Sequence, residues 1–275
     1  NQVAGWGDAQ GKVEVVFGWA NANNGDFPGA PATMPADLVW DLQVDRSIAG
    51  DRVVVFGLGA AGDGVRTDTD RFVARLDITA TGADADPTFN GGAAFTFNAT
   101  GTLNDNQRRG LVEADGKIVA SGYTDLGGTL DNHSFLIRLD TDGTLDATFG
   151  GFSDEPTIAA TPGVAVFNPF KVDGGYAENY AAGYQQGTAS YVAVGYGAAT
   201  LRDDGVTQST LGYESALQQD VVVMRVSSGT STAIDMGWAN TGTQAIQSEG
   251  QGFETNEDRG RHIIVLPDDR SVIAG

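Results

Sequence analysis

The feature that most constrains this chain is internal repetition. A short apolar run ending in glycine occurs four times: Val53-Val54-Val55-Phe56-Gly57, Ile118-Val119-Ala120-Ser121-Gly122, Tyr191-Val192-Ala193-Val194-Gly195 and Ser271-Val272-Ile273-Ala274-Gly275. The glycines are 65, 73 and 80 residues apart. Three of the runs follow a turn preceded by another apolar run, which predicts a β-hairpin. Leu111-Val112-Glu113-Ala114 turns at Asp115-Gly116, and Ile263-Ile264-Val265-Leu266 turns at Pro267-Asp268-Asp269. Val39-Trp40-Asp41-Leu42 reaches Val53 through Ala49-Gly50-Asp51.

Two further elements recur after the hairpins. The first reads Phe72-Val73-Ala74-Arg75-Leu76-Asp77, Phe135-Leu136-Ile137-Arg138-Leu139-Asp140 and Val221-Val222-Val223-Met224-Arg225-Val226. The second places an aromatic behind an aspartate: Asp86-Pro87-Thr88-Phe89, Asp146-Ala147-Thr148-Phe149 and Asp235-Met236-Gly237-Trp238. Phe17-Gly18-Trp19-Ala20-Asn21 parallels the last of these. The pattern predicts an all-β chain forming a single β-propeller domain from about four repeats of 60–90 residues, either a small closed ring or part of a larger propeller. The units fall at about 1–70, 71–133, 134–219 and 220–275. The segment Gln2-Val3-Ala4-Gly5-Trp6 is expected to supply a strand to the last unit. The chain starts at Asn1 and stops inside a motif, so a trimmed or processed product is expected.

Composition agrees with a turn-rich β protein. Gly supplies 39 of 275 residues, and turn formers outnumber helix formers. The net charge is −20, from 36 acids against 16 Lys and Arg. A field this negative repels phosphate and anionic lipid, so no nucleic acid is expected as a partner and no docking on membranes. No apolar run is long enough to insert in a bilayer as a helix. The absence of cysteine excludes disulfides, zinc–thiolate sites, Fe–S clusters and thiol nucleophiles. Abundant Asp with scarce Lys points to an extracytoplasmic location: secreted, periplasmic or at the cell surface.

The best-preserved unit resembles a known family. The phrases Glu113-Ala114-Asp115-Gly116-Lys117-Ile118-Val119-Ala120-Ser121-Gly122, Phe135-Leu136-Ile137-Arg138-Leu139-Asp140 and Asp142-Gly143-Thr144-Leu145-Asp146-Ala147-Thr148-Phe149-Gly150 are similar to the delta-60 repeat. The resemblance implies a blade of a bacterial surface or secreted propeller. It carries no catalytic residues. It fades over residues 155–215, where Tyr-, Gln- and Gly-rich sequence replaces the motif.

Several residues invite a chemical reading. Asp140, Asp142 and Asp146 flank a Gly turn with the oxygen donors that calcium takes, although an EF-hand's twelfth-position Glu is missing. The same spacing also suits a plain β-turn. Asp68 and Asp70, Asp84 and Asp86, and Asp203 and Asp204 are weaker versions. His133 and His262 lie in different units and do not build a metal site or triad by spacing. Gly57-Leu58-Gly59-Ala60-Ala61-Gly62 spells a dinucleotide loop, but Asp63-Gly64-Val65-Arg66 follows instead of a helix. Arg75, Arg138 and Arg225 suit pairing with turn carboxylates better than an anion-binding ring. Trp19 and Trp238 stand at the core aromatic position of the repeat. Tyr176, Tyr180, Tyr184, Tyr196 and Tyr213 in the atypical segment are expected to form an interaction surface.

The expected function is therefore a non-enzymatic, exported bacterial module with a structural or protein-interaction role. Its partners would be other subunits or surface components, with no cofactor except calcium as an option. Two other readings are an extracellular hydrolase of glycans or esters acting through paired acids, and a calcium-stabilised adhesin domain.

Overall fold

The computed structural model describes residues 37–60, 68–127, 131–170, 175–198, 219–230, 234–235, 237–240, 243–246 and 258–275. These residues are all-β, and their only helices are 3₁₀ turns at Asn90–Gly92 and Trp238–Asn240. No helix among them is long and apolar enough to cross a membrane.

Strands β1 (Asp37–Asp45), β2 (Asp51–Ala60), β3 (Thr69–Ile78) and β4 (Ala83–Ala85) lie in that order in the first sheet, with β5 (Phe95–Phe97) paired to β3. The second sheet has the order β6 (Asp105–Val112), β7 (Ile118–Asp125), β8 (Asn132–Leu139), β10 (Val164–Phe167) and β9 (Phe152–Ser153). The third is β11 (Tyr176–Gln185), β12 (Ser190–Ala198), β13 (Asp220–Ser227) and β14 (Thr243–Ile246). Strands β15 (His262–Val265) and β16 (Ser271–Ala274) form a hairpin. Among the described residues no sheet closes on itself.

The predicted hairpins are present, and each sheet starts with one. The expected unit boundaries at 70/71 and 133/134 fall inside β3 and β8, because each sheet begins at its hairpin's first strand. The second hairpin turns with Glu113 N–H on the Lys117 carbonyl at 2.8 Å and Gly116 at φ +88°. The β15–β16 turn repeats this bond as Leu266 N–H to Arg270 O at 2.7 Å, with Asp269 in the left-handed region. The third hairpin, β11–β12, occupies the segment where the repeat was hardest to read.

The glycine that ends three of the four apolar runs, at 57, 195 and 275, has a physical cause. In β1 an extra residue bulges between Val39 and Asp41, opposite Gly57, and β11 bulges between Asn179 and Ala181, opposite Gly195. A Cβ on Gly57 would lie 2.4 Å from the Leu38 carbonyl oxygen. On Gly195 it would meet the Glu178 carbonyl oxygen, and on Gly275 that of Arg259 at 2.3 Å. At Gly57 and Gly195 the first strand presses its backbone onto the second, at Gly275 the backbone just before β15 does so, and only glycine leaves room.

The chain divides into two compact units, residues 1–119 with 139–144, and residues 120–138 with 145–275. In the first, Val55, Phe72, Ala74, Leu76 and Ala83 form a buried cluster. In the second, Ala181, Val192, Val194, Val223 and Ile263 form another.

Candidate functional site

The recurring arginines build one device three times. Arg75 on β3, Arg138 on β8 and Arg225 on β13 each offer their carbonyl to the amide of a following aspartate. The bonds are Asp86 N–H to Arg75 O at 2.9 Å, Asp146 N–H to Arg138 O at 2.9 Å and Asp235 N–H to Arg225 O at 2.7 Å. The guanidinium then returns to the same aspartate: Nε donates to Oδ2 at 2.6, 2.7 and 2.9 Å respectively. Nη2 of Arg75 donates to the Thr88 hydroxyl at 3.0 Å, and Nη2 of Arg138 to that of Thr148 at 3.0 Å. Gly237 replaces the threonine in the third copy, and there Nη2 bonds Asp235 Oδ2 at 2.5 Å. The other carboxylate oxygen ties down the turn, accepting from Thr88 N at 2.8 Å, Thr148 N at 2.8 Å and Gly237 N at 3.1 Å. The aromatic closes the device: guanidinium carbons stand 5.1 Å from the Phe89 centroid, 4.9 Å from Phe149 and 5.8 Å from Trp238.

Each of the first two clasps also reaches a later strand end. Arg75 Nη1 donates to the Thr141 carbonyl at 2.8 Å, and Arg138 Nη1 to the Ser228 carbonyl at 3.0 Å. Thr141 and Ser228 hold the same place, three residues after the repeat arginine. The clasp therefore joins one repeat to the next. Burial pushes the Asp86 carboxyl up, but the Thr88 hydroxyl and amide and the Arg75 guanidinium outweigh it and hold it down at about 2.

This wiring decides the fate of the acidic loop. Asp146 is committed to Arg138 and Thr148. Asp142 accepts the Thr144 amide at 3.0 Å and hydroxyl at 2.7 Å, and these bonds lower its pKa. Asp140 accepts Lys117 Nζ at 2.7 Å. Gly143 turns the loop at φ +81°, and a Cβ there would lie 2.8 Å from the Phe89 ring. The β-turn reading accounts for all three carboxylates, and the structure does not gather Asp140, Asp142 and Asp146 into a metal-holding group. Among the described residues no three His, Asp or Glu side chains are so grouped. Asp68 and Asp70 are buried near Arg71, which binds Asp105 at 2.8 Å. Burial pulls the Arg71 pKa down to about 10 against the pull of Asp105 and Asp70. Asp203 and Asp204 lie outside the described residues.

The tyrosines need a correction. Tyr176, Tyr180 and Tyr196 do not form a surface: all three are buried and pack on one another, with Tyr123 against them. Tyr176 meets Tyr196 edge-on at 6.3 Å, and Tyr180 lies 5.5 Å from Tyr196. They sit on paired strands of a regular hairpin rather than on loops, so their side chains enter the core. Tyr184 is half-buried, 5.3 Å from the buried Tyr191, whose hydroxyl accepts from Arg138 Nη1 at 3.0 Å. Tyr213 lies outside the described residues. Within this cluster stands Glu178, a buried acid that sequence reasoning missed, with Asn132 Nδ2 donating to Oε1 at 2.6 Å. Burial, then the charge of Glu178, raises the pKa of the Tyr196 phenol. Arg261 stacks over Tyr180 at 4.4 Å and Arg259 over Tyr196 at 4.5 Å. Only the placement of an acid inside an aromatic strand hinted at this group.

The histidines stay apart in role. His133 is buried on β8, with Nε2 3.7 Å from Asp154 Oδ1 and 3.9 Å from Glu155 Oε2. His262 lies half-buried at the start of β15. Trp40 is 44% exposed, with Arg108 over its ring at 4.2 Å.

No curated protein matches this chain. Residues 113–149 match the family model of a β-propeller domain of unknown function, DUF5122. That stretch runs from the second hairpin's turn through β8 to the aromatic of the Arg138 clasp. It is the stretch of a β-propeller-like repeat.

Proposed function

We infer that this chain is a non-enzymatic β-propeller module of an exported bacterial protein, acting as a structural or protein-interaction part at the cell surface or within a larger assembly. One observation carries the reading. The charged residues that recur along the sequence are spent on each other: Arg75 with Asp86, Arg138 with Asp146 and Arg225 with Asp235. The repetition thus serves the joining of repeats. The match to a β-propeller domain over residues 113–149 and the delta-60 resemblance over the same region support the same reading. A net charge of −20 favours cationic protein surfaces as partners and disfavours polyanions.

The test is turnover. The purified chain is incubated with a panel of glycans and of ester substrates, with and without calcium. No product above buffer is expected. Turnover abolished by replacing one carboxylate, in a chain that still melts as the parent does, would overturn the reading in favour of a hydrolase.

A further inference from the structure

His133 is sealed inside the second compact unit and bonded to nothing. It is 2% exposed, and among the described residues neither Nδ1 nor Nε2 has a hydrogen-bond partner. Native folds seldom leave a buried polar group in that state. Nε2 faces two acids that it does not reach: Asp154 Oδ1 at 3.7 Å and Glu155 Oε2 at 3.9 Å, both beyond hydrogen-bond length. The acids stand in the turn after β9, and their other oxygens are held. Asp154 Oδ2 accepts the Asn168 amide at 2.6 Å. Glu155 Oε1 accepts the Thr157 amide at 3.0 Å and its hydroxyl at 2.9 Å. The turn is thus set with one oxygen of each carboxylate toward the imidazole.

The other charges on the surrounding strands are engaged elsewhere. On β8 itself, Arg138 binds Asp146. On β7 the charged residue is Asp125, whose Oδ1 accepts the Gly127 amide at 2.7 Å. Strands β9 and β10 carry no charge. From β11, Glu178 accepts Asn132, the residue before His133. Asp154 and Glu155 are therefore the acids that a charge on His133 would draw in. A second ring proton makes both nitrogens donors. It also supplies the positive charge that a carboxylate attracts most strongly away from water. Closing the two gaps to charge-assisted bonds takes a movement of about 1 Å.

We propose that His133 is a proton-operated catch: one proton taken from the medium by the buried imidazole draws Asp154 and Glu155 onto Nε2 and fastens the turn after β9 to β8. Histidine changes charge between about pH 5 and 8, so the catch closes as the medium acidifies and opens as it turns alkaline. Asp86, held at about 2, titrates far below that window. The catch needs no partner molecule, and it stands or falls apart from the interaction-module reading.

The experiment is amide hydrogen exchange on the whole chain at about pH 8 and about pH 5, read as protection factors so that the intrinsic pH dependence of exchange drops out. The amides of Thr157, Ile158 and Asn168 report, since each donates to Asp154 or Glu155. Their protection is expected to rise about tenfold toward acid, the worth of one charge-assisted hydrogen bond. It is expected to stay level in His133→Phe, which keeps a ring but cannot titrate. The same holds for Asp154→Asn with Glu155→Gln, which keeps acceptors for Asn168 and Thr157. Circular dichroism confirms that each variant is folded. If neither folds, the imidazole nitrogen spectrum of the wild-type chain decides, with His133 expected to pass from a neutral to a doubly protonated ring across the window. Equal protection at both pH values, the same rise in a folded variant, or a His133 ring that keeps one protonation form throughout overturns the proposal.

Discussion

At the scale of the residue, the chemistry of this protein is concentrated in buried arginine–aspartate pairs. Removing one partner of a buried pair strands a charge and costs about 3–5 kcal/mol. Arg75→Ala and Arg138→Ala are each expected to destabilise by that amount in denaturant melts. Arg225→Ala should cost only about 1 kcal/mol, because its pair is 19% and 31% exposed and solvent screens it. Asp86 sets a pH limit. Its carboxyl is held at about 2 in the fold, below the ordinary 3.8, so the stability it contributes is fully present above about pH 4 and disappears as pH falls through 2. The difference is worth about 2 kcal/mol. Asp86→Asn should flatten the acid side of a plot of Tm against pH between pH 4 and 2. The acidic loop makes a different prediction. Its three carboxylates already hold Lys117, Thr144 and Arg138, so adding a chelator should leave Tm unchanged within about 1 °C.

At the scale of the element, the hairpin is the recurring unit, with a bulge set opposite a glycine in β1–β2 and β11–β12. Gly195 and Gly57 face the carbonyls of Glu178 and Leu38, so even a methyl group must push the first strand away. Gly110→Ala tests the matching contact between sheets, since the added carbon falls within the Phe56 ring. Overpacking of this kind costs about 1–3 kcal/mol. Pairing it with Phe56→Leu should recover part of the loss in a double-mutant cycle, which separates a clash from a loss of backbone freedom. The hairpins could be read in the sequence because Asp115-Gly116 and Pro267-Asp268-Asp269 are turn chemistry that acts over a few residues. The β11–β12 hairpin was hidden because Gln186-Gly187-Thr188-Ala189 carries no such signal, and Ala189 takes φ +48° with an ordinary side chain.

At the scale of the whole molecule, neighbouring repeats meet through matched contacts, Gly110 of β6 against the Phe56 ring of β2 and Ile263 of β15 in the cluster of Val192, Val194 and Val223. The arginine clasps follow the same logic, since Arg75 and Arg138 each cap the carbonyl of a later strand end. A net charge of −20 makes the compact chain repel itself, so Tm is expected to rise as salt is raised from about 0.05 to 0.5 M.

The sequence by itself determined the class of the fold, the recurring hairpins and the pairing of the repeat arginines with turn carboxylates, and the structure decided which aspartate each one takes. These rest on alternation along a strand and on turns of a few residues, so neighbouring residues carry the whole signal. Tertiary structure alone decided that Tyr176, Tyr180 and Tyr196 are core and not surface, and that Glu178 is buried among them. Whether a strand face is covered depends on which sheet lies against it, and that sheet is built from residues tens of positions away. Glycine at 57, 195 and 275 belongs to both levels: the sequence shows that it recurs, and only the approach of a carbonyl from the paired strand shows why.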